Sequence, residues 1–339
     1  MSVGLPLPVT RWSPWRAQPD WVATGGRVAV LTAVTGSLLA PGAARAVAVP
    51  VAVAAVLVGL PHGAADAGVL SAAPTRYRRL LGLAYLGAAV AVAALAVLAT
   101  VPVVLALLIL AVVHFGTGEV ETTRAPAGSP RWRRWAGVTA GGALVIAVPF
   151  AVHPVPVNAV LAALDPRLPA ALPPVVRWSA VAVAAACGVA VAVADHRRGA
   201  HVAAGDLALL TVLGLSVPPV LAFGVYFGLW HSVRHSARLF ALPAEPGWPV
   251  PHLNRSVSLL AGAGSVAVAG VGVLVMAATR TPAPSVLGHL VLALLALTVP
   301  HTAVVAWLDR RTHRLPHLIR PTGHRAVGQP ARPTEKEIS

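Results

Sequence analysis

The stretch Pro102-Val-Val-Leu-Ala-Leu-Leu-Ile-Leu-Ala-Val-Val-His114-Phe-Gly-Thr-Gly-Glu119-Val-Glu-Thr122 decides the fold. No side chain from Pro102 through Val113 carries a polar group, and no charge appears before Glu119. As a helix the segment is about 30 Å long, which matches the hydrocarbon core of a bilayer. The rest of the chain repeats this pattern. Of 339 residues, 57% are apolar and only 11% are charged, against about 25% charged in soluble domains. That balance excludes a soluble enzyme and predicts one all-α, polytopic transmembrane bundle.

About ten spans are expected, near 25–40, 46–70, 80–99, 102–122, 135–153, 175–194, 203–217, 219–240, 257–278 and 285–308. Turn signals such as Pro41-Gly42, Ser71 to Arg79 and Arg124 to Arg134 separate them. The segment 154–174 carries six prolines and predicts an irregular or re-entrant loop at the membrane face. Residues 203–240 admit two readings: one long helix kinked at Pro218-Pro219, or two short helices with a turn there. Charge favours two. With ten spans and a cytoplasmic N-terminus, all but Arg45, Arg167, Arg177 and Arg280 of the 26 basic residues fall on the inside, as the excess of basic residues in cytoplasmic loops requires. The expected organisation is an irregular leader at 1–24, a transmembrane catalytic domain at 25–308, and a basic, disordered cytoplasmic tail at 309–339. The early prolines Pro6, Pro8, Pro14 and Pro19 and the lack of an apolar core argue against a cleavable signal peptide. The single cysteine, Cys187, cannot form an intrachain disulfide. The net charge of +15 does not mark a nucleic-acid binder, because the arginines lie between long apolar runs.

Five of the 13 histidines are set apart by depth. His62, His114, His231 and His301 lie 12 to 16 residues into spans of one direction, about 18–24 Å below the outer edge of the core. His235 follows His231 by one helical turn, on the same face. Ionisable groups in hydrocarbon are costly, so such a cluster is a functional expectation. The plain alternative is that each ring hydrogen-bonds between helices. Neutral imidazole is the commonest metal ligand, and residue type leaves Zn, Cu, Fe and Ni open. Asp66 shares a helix face with His62 and is placed to orient a neighbouring histidine or to cap the span. Glu119 lies about 140° round from His114 on a straight helix, so it cannot support that ring directly and could be a boundary acid. Pro61 and Pro300 would kink their spans and free carbonyls. Gly63 and Gly116 would allow close helix approach. Phe115, Phe223, Tyr226, Phe227 and Trp230 gather at the histidine level in a chain with 5% aromatics, as a polyene-binding wall or an interface belt.

Four blocks together resemble the bacterial beta-carotene 15,15'-dioxygenase (Brp/Blh) family: Gly59-Leu-Pro-His-Gly-Ala-Ala-Asp66, His114-Phe-Gly-Thr-Gly-Glu119, Tyr226-Phe-Gly-Leu-Trp-His-Ser-Val-Arg-His235 and Val299-Pro-His301. Their order and spacing cover about 59–308. The resemblance implies a non-haem iron enzyme that cleaves the central double bond of beta-carotene, or a related carotenoid, with O2 to give retinal. It implies Fe(II) held by His62, His114, His231 and His235, with His301, Asp66 and Glu119 as further ligands or outer-shell groups. The substrate would lie against Phe115, Tyr226, Phe227 and Trp230. Glu119 stands where the family more often shows aspartate. The implied partners are the lipid bilayer of the cell membrane and a rhodopsin that accepts retinal, with no nucleic acid. Rival readings are a transporter or proton relay using intramembrane His and Asp, and another metal-dependent lipid oxidase or hydroxylase. A bis-histidine haem protein and an accessory membrane protein complete the alternatives. Diiron hydroxylases need about eight boxed histidines, whereas this chain has one such box, His231/His235.

Overall fold

A computed structural model of the protein describes residues 20–71, 73–123, 130–240 and 254–318. The described residues are helical, without strands. In chain order the helices are α1 (Asp20–Leu39), α2 (Pro41–Gly59), α3 (Pro61–Leu70), α4 (Thr75–Leu98), α5 (Thr100–Thr122), α6 (Arg131–Val152), α7 (Pro154–Leu164) and α8 (Leu168–Ala171). They continue as α9 (Pro174–His196), α10 (His201–Ser216), α11 (Pro219–Gly224), a π-helical turn (Val225–His231), α12 (Ser232–Phe240), α13 (Arg255–Ala278) and α14 (Ala283–Leu318).

Eight helical segments among the described residues are long and apolar enough to cross a membrane, counting α2 and α3 as one. The two remaining expected spans are also helical. α10 is 16 residues, about 24 Å, and packs on one side against α1, α6 and α9. The run 219–240 is continuous through its π turn. Val217 has extended backbone between α10 and α11, which settles the 203–240 ambiguity as two helices broken at Val217-Pro218.

Small residues set the helix spacing. A Cβ on Gly116 would lie 1.9 Å from the Val138 carbonyl oxygen, and one on Gly142 would lie 1.8 Å from that of Val112. α5 and α6 therefore touch backbone to backbone, as small residues permit in membrane bundles. Gly63 does not serve this purpose: nothing lies within 4 Å of its Cβ position, which faces a cavity.

Polarity runs inside out, as a bilayer demands. Leu80, Leu83, Leu86, Leu259, Leu260 and Val268 are exposed, whereas seven of the 11 acidic residues are buried. Charged groups in such bundles face the interior and pair there. Arg133 with Asp195, and Arg238 with Asp309, are two such buried pairs.

The structure corrects the expectation of an irregular 154–174. Pro154 and Pro156 sit in the first turn of α7, where a missing N–H leaves no bond unmade. Val157, Leu161 and Leu168 are buried, and α7 packs on α14. α1 begins at Asp20 within the expected leader, and α14 continues to Leu318, so positions 309–318 are helical. The leader before Asp20 and the tail after Leu318 lie outside the described residues.

Candidate metal centre

His62 is built by a proline. Pro61 has no N–H to give, so α2 ends at Gly59 and α3 starts at Pro61 as its first residue. Gly63 N–H bonds the Leu60 carbonyl at 3.2 Å, so the Gly59 carbonyl is not used by Gly63. His62 Nδ1 takes that carbonyl at 2.6 Å, with Ser232 Oγ at 3.1 Å. Ser232 donates its own hydroxyl proton to the Phe227 carbonyl, so its oxygen accepts from His62. Both contacts assign the His62 proton to Nδ1 and leave Nε2 with a free lone pair.

His231 ends the π-helical turn, and Ser232 N–H bonds the Phe227 carbonyl five residues back. Such turns widen a helix locally and are frequent at functional sites. His231 and His235 stack with centroids 6.2 Å apart. His114 on α5 faces them from the other side, 5.2 Å from His231. His301 on α14 lies 5.0 Å from His114, 5.1 Å from His62 and 5.2 Å from His235. Its Nδ1–H donates to Asp66 Oδ2 at 2.8 Å, and Tyr85 donates its hydroxyl to the same oxygen at 3.0 Å.

All five rings are buried. Nitrogens of His62, His114 and His231 all lie within 4.8 Å of one another. Opposed imidazole ligands of one ion stand about 4.2 Å apart, given bonds of about 2.1 Å, so a small contraction closes the three on a cation. Nε2 of His231, His235 and His301 is buried without a hydrogen-bond partner among the described residues. Several unpaired acceptors in one dry place cost about 1–3 kcal/mol each. A divalent cation relieves them together, so these residues fit a metal ion.

Glu119 points away from the rings. It accepts from Tyr226 Oη at 3.1 Å and Trp230 Nε1 at 3.0 Å, and lies 3.6 Å from Arg234 Nη1. Arg234 stacks its guanidinium 3.6 Å over the Trp230 ring and bonds Asp206 at 3.2 Å. Asp206 in turn accepts from Arg27 at 2.7 Å. This chain of alternating charge was not expected from the sequence. Charge counting places Arg234 on the cytoplasmic side, and in the sequence Asp206 stands within an apolar run. The usable signal was the burial cost itself: acids within apolar spans must find cations.

Two cavities flank the rings. The larger, about 440 Å³, is lined by His62, His114, His301, Asp66 and Tyr85 together with small residues of α3, α4 and α13. The smaller, about 160 Å³, is almost wholly apolar and is lined by α2, α5, α6, α7, α11 and α14. Phe115, Phe227, Leu294 and Thr298 line both. Of the four aromatics expected against substrate, Phe115 and Phe227 stand at these walls. Tyr226 and Trp230 line neither cavity, because their polar ends are turned to Glu119.

Comparison with known proteins agrees with the family resemblance. The family model described as Beta-carotene 15,15'-dioxygenase matches residues 53–309. A curated relative from Halobacterium salinarum, Probable beta-carotene 15,15'-dioxygenase Blh, is 36% identical over 325 residues, covering 86% of this chain and 91% of the relative. No solved structure matches.

Proposed function

The chain belongs to the beta-carotene 15,15'-dioxygenase family, and from that premise we propose that it cleaves the central double bond of beta-carotene, or of a close carotenoid, with O2 to give retinal. The observation that carries this reading is the convergence of buried imidazoles beside an apolar cavity inside a membrane bundle. His62, His114, His231 and His235 would hold Fe(II). The iron would supply the redox chemistry that lets O2 react with a closed-shell double bond. One oxygen atom ends on each of the two carbons of the broken bond, so no atom leaves and no proton transfer is needed.

The protein's work is then to place and to exclude. The carbonyl of Gly59 holds the proton on His62 Nδ1, which aims the other nitrogen inward. A carotenoid offers no hydrogen-bonding group at its centre, so shape alone selects the bond. The two cavities give room for the two arms of a polyene, and Phe115, Phe227, Leu294 and Thr298 bound its passage between them beside the rings. Gly63, Gly82 and Ala261 keep the flank between α3, α4 and α13 open to an apolar chain arriving from the bilayer. Reacting atoms must come within about 3–3.5 Å, which this confinement serves, and apolar walls keep water away. The arginine distribution supports a cell-membrane location with both ends cytoplasmic. A retinal-binding rhodopsin in that membrane would consume the product.

Expression in a beta-carotene-accumulating bacterium tests the reading. Wild-type protein should bleach the cells and yield retinal by chromatography, while His231→Ala at equal membrane abundance should reduce retinal at least 100-fold. Retinal at wild-type level from the variant, or none from the wild type, contradicts the proposal.

A further inference from the structure

His301 comes from a different helix and a different block of sequence than the four rings assigned above, and its ring is held by a carboxylate. Its Nδ1–H points at a carboxylate, Asp66 Oδ2 at 2.8 Å, whereas His62 has only a carbonyl and a hydroxyl oxygen. Asp66 is itself buried and fixed by the Tyr85 hydroxyl at 3.0 Å. α3, α4 and α14 therefore each give one side chain to a Tyr85–Asp66–His301 relay of hydrogen bonds. Its far end is His301 Nε2, buried and without a hydrogen-bond partner among the described residues. The ring lies among the others, with centroids 5.0, 5.1 and 5.2 Å from those of His114, His62 and His235.

A carboxylate on Nδ1–H fixes the tautomer, directs the ring and raises the basicity of Nε2. A buried histidine that needed only a structural hydrogen bond would be satisfied at Nδ1, and an apolar neighbour would then suit its other edge. Here the ring stands among other imidazoles, and Nε2 of His231 and His235, like its own, has no hydrogen-bond partner among the described residues, so one cation would satisfy several lone pairs together. Asp66 also brings a negative charge next to a site whose other donors are neutral, which favours a divalent cation there. We propose that His301 is a fifth nitrogen donor to the same cation, positioned by Asp66 and Tyr85. The proposal rests on the metal reading above. It further makes the wall between the cation and the larger cavity a ligand, since His301 lines that cavity beside His62 and His114.

Cobalt(II) is the probe, because its visible absorption reports the number of donors directly. Purified full-length wild type, His301→Ala, Asp66→Asn, Tyr85→Phe and His231→Ala would each be titrated with Co(II) in detergent. Loss of His301 should intensify and shift the cobalt bands and weaken affinity at least 10-fold, and added imidazole should restore the wild-type spectrum. Asp66→Asn keeps the ring and should weaken affinity about 10–100-fold, with a smaller spectral change; Tyr85→Phe should do less. Should His301→Ala fail to fold, the Asp66→Asn titration carries the same prediction. If His231→Ala loses cobalt while His301→Ala and Asp66→Asn bind it with wild-type affinity and spectrum, His301 is no donor and the four-histidine reading survives. If wild type takes up no cobalt, both fall.

Discussion

Two faces of one helical run, one residue apart, do opposite things. Phe227, His231 and His235 recur every four residues and look toward the rings of His62, His114 and His301. Tyr226, Trp230 and Arg234 recur with the same period and look toward Glu119 and Asp206. On the second face the protein satisfies itself: acid, indole, guanidinium and acid alternate out to Arg27. On the first face the protein supplies lone pairs and no counterpart among the described residues. Burial is common to both, so burial alone does not mark a functional group. What separates them is whether the polar ends are spent on one another or aimed at one point.

The largest effect expected from this contrast is on stability, with opposite signs three residues apart. Arg234→Met strands Glu119 and Asp206 beside fewer cations, and breaking a buried pair costs about 3–5 kcal/mol. Thermal unfolding of metal-free protein in detergent should drop sharply. His231→Leu replaces a ring whose Nε2 has no hydrogen-bond partner among the described residues with an apolar group, which is near neutral or stabilising when no bond is forfeited. Its metal-free unfolding temperature should hold or rise. Equal losses in the two variants would erase the distinction between the faces.

A smaller effect sharpens the second face along its length. Arg27 is 34% exposed at its side chain, against 5% for Arg234. Water screens the outer end, and exposed pairs contribute about 0–1 kcal/mol. Arg27→Gln should therefore lower the unfolding temperature much less than Arg234→Met, and its small effect should fade further in high salt. A loss as large as that of Arg234→Met would mean the chain acts as one unit without a wet end.

Much of this was legible in the sequence because a membrane simplifies the reading. Counting residues from the span ends puts His62, His114, His231 and His301 at one depth, and the structure brings those rings together with His235. The i, i+4 spacing from His62 to Asp66 leaves open which histidine Asp66 serves. The answer, His301, comes from a helix 235 positions away, which only tertiary packing reveals. Tyr85 gave no signal, yet two of the chain's three tyrosines, Tyr85 and Tyr226, end on buried carboxylates. Proline read differently at two places. In 154–174 it predicted an irregular or re-entrant loop, but at the start of α7 it costs nothing; Pro61, expected to kink its span and free carbonyls, opens α3 one residue before His62, whose Nδ1 takes the Gly59 carbonyl. Arg234 was hidden by a rule that is true on average, since arginines do collect at cytoplasmic ends, and this one turns inward to a salt bridge.

The central claim is that the first face converges on one cation. Metal analysis of the purified full-length chain, expressed with iron supplied, tests it most directly when wild type is set beside His114→Ala. The account predicts one iron per chain in the wild type and well under a tenth of that in a variant that still folds. Iron absent from active wild-type protein, two irons per chain, or full iron retention after loss of His114 would contradict it.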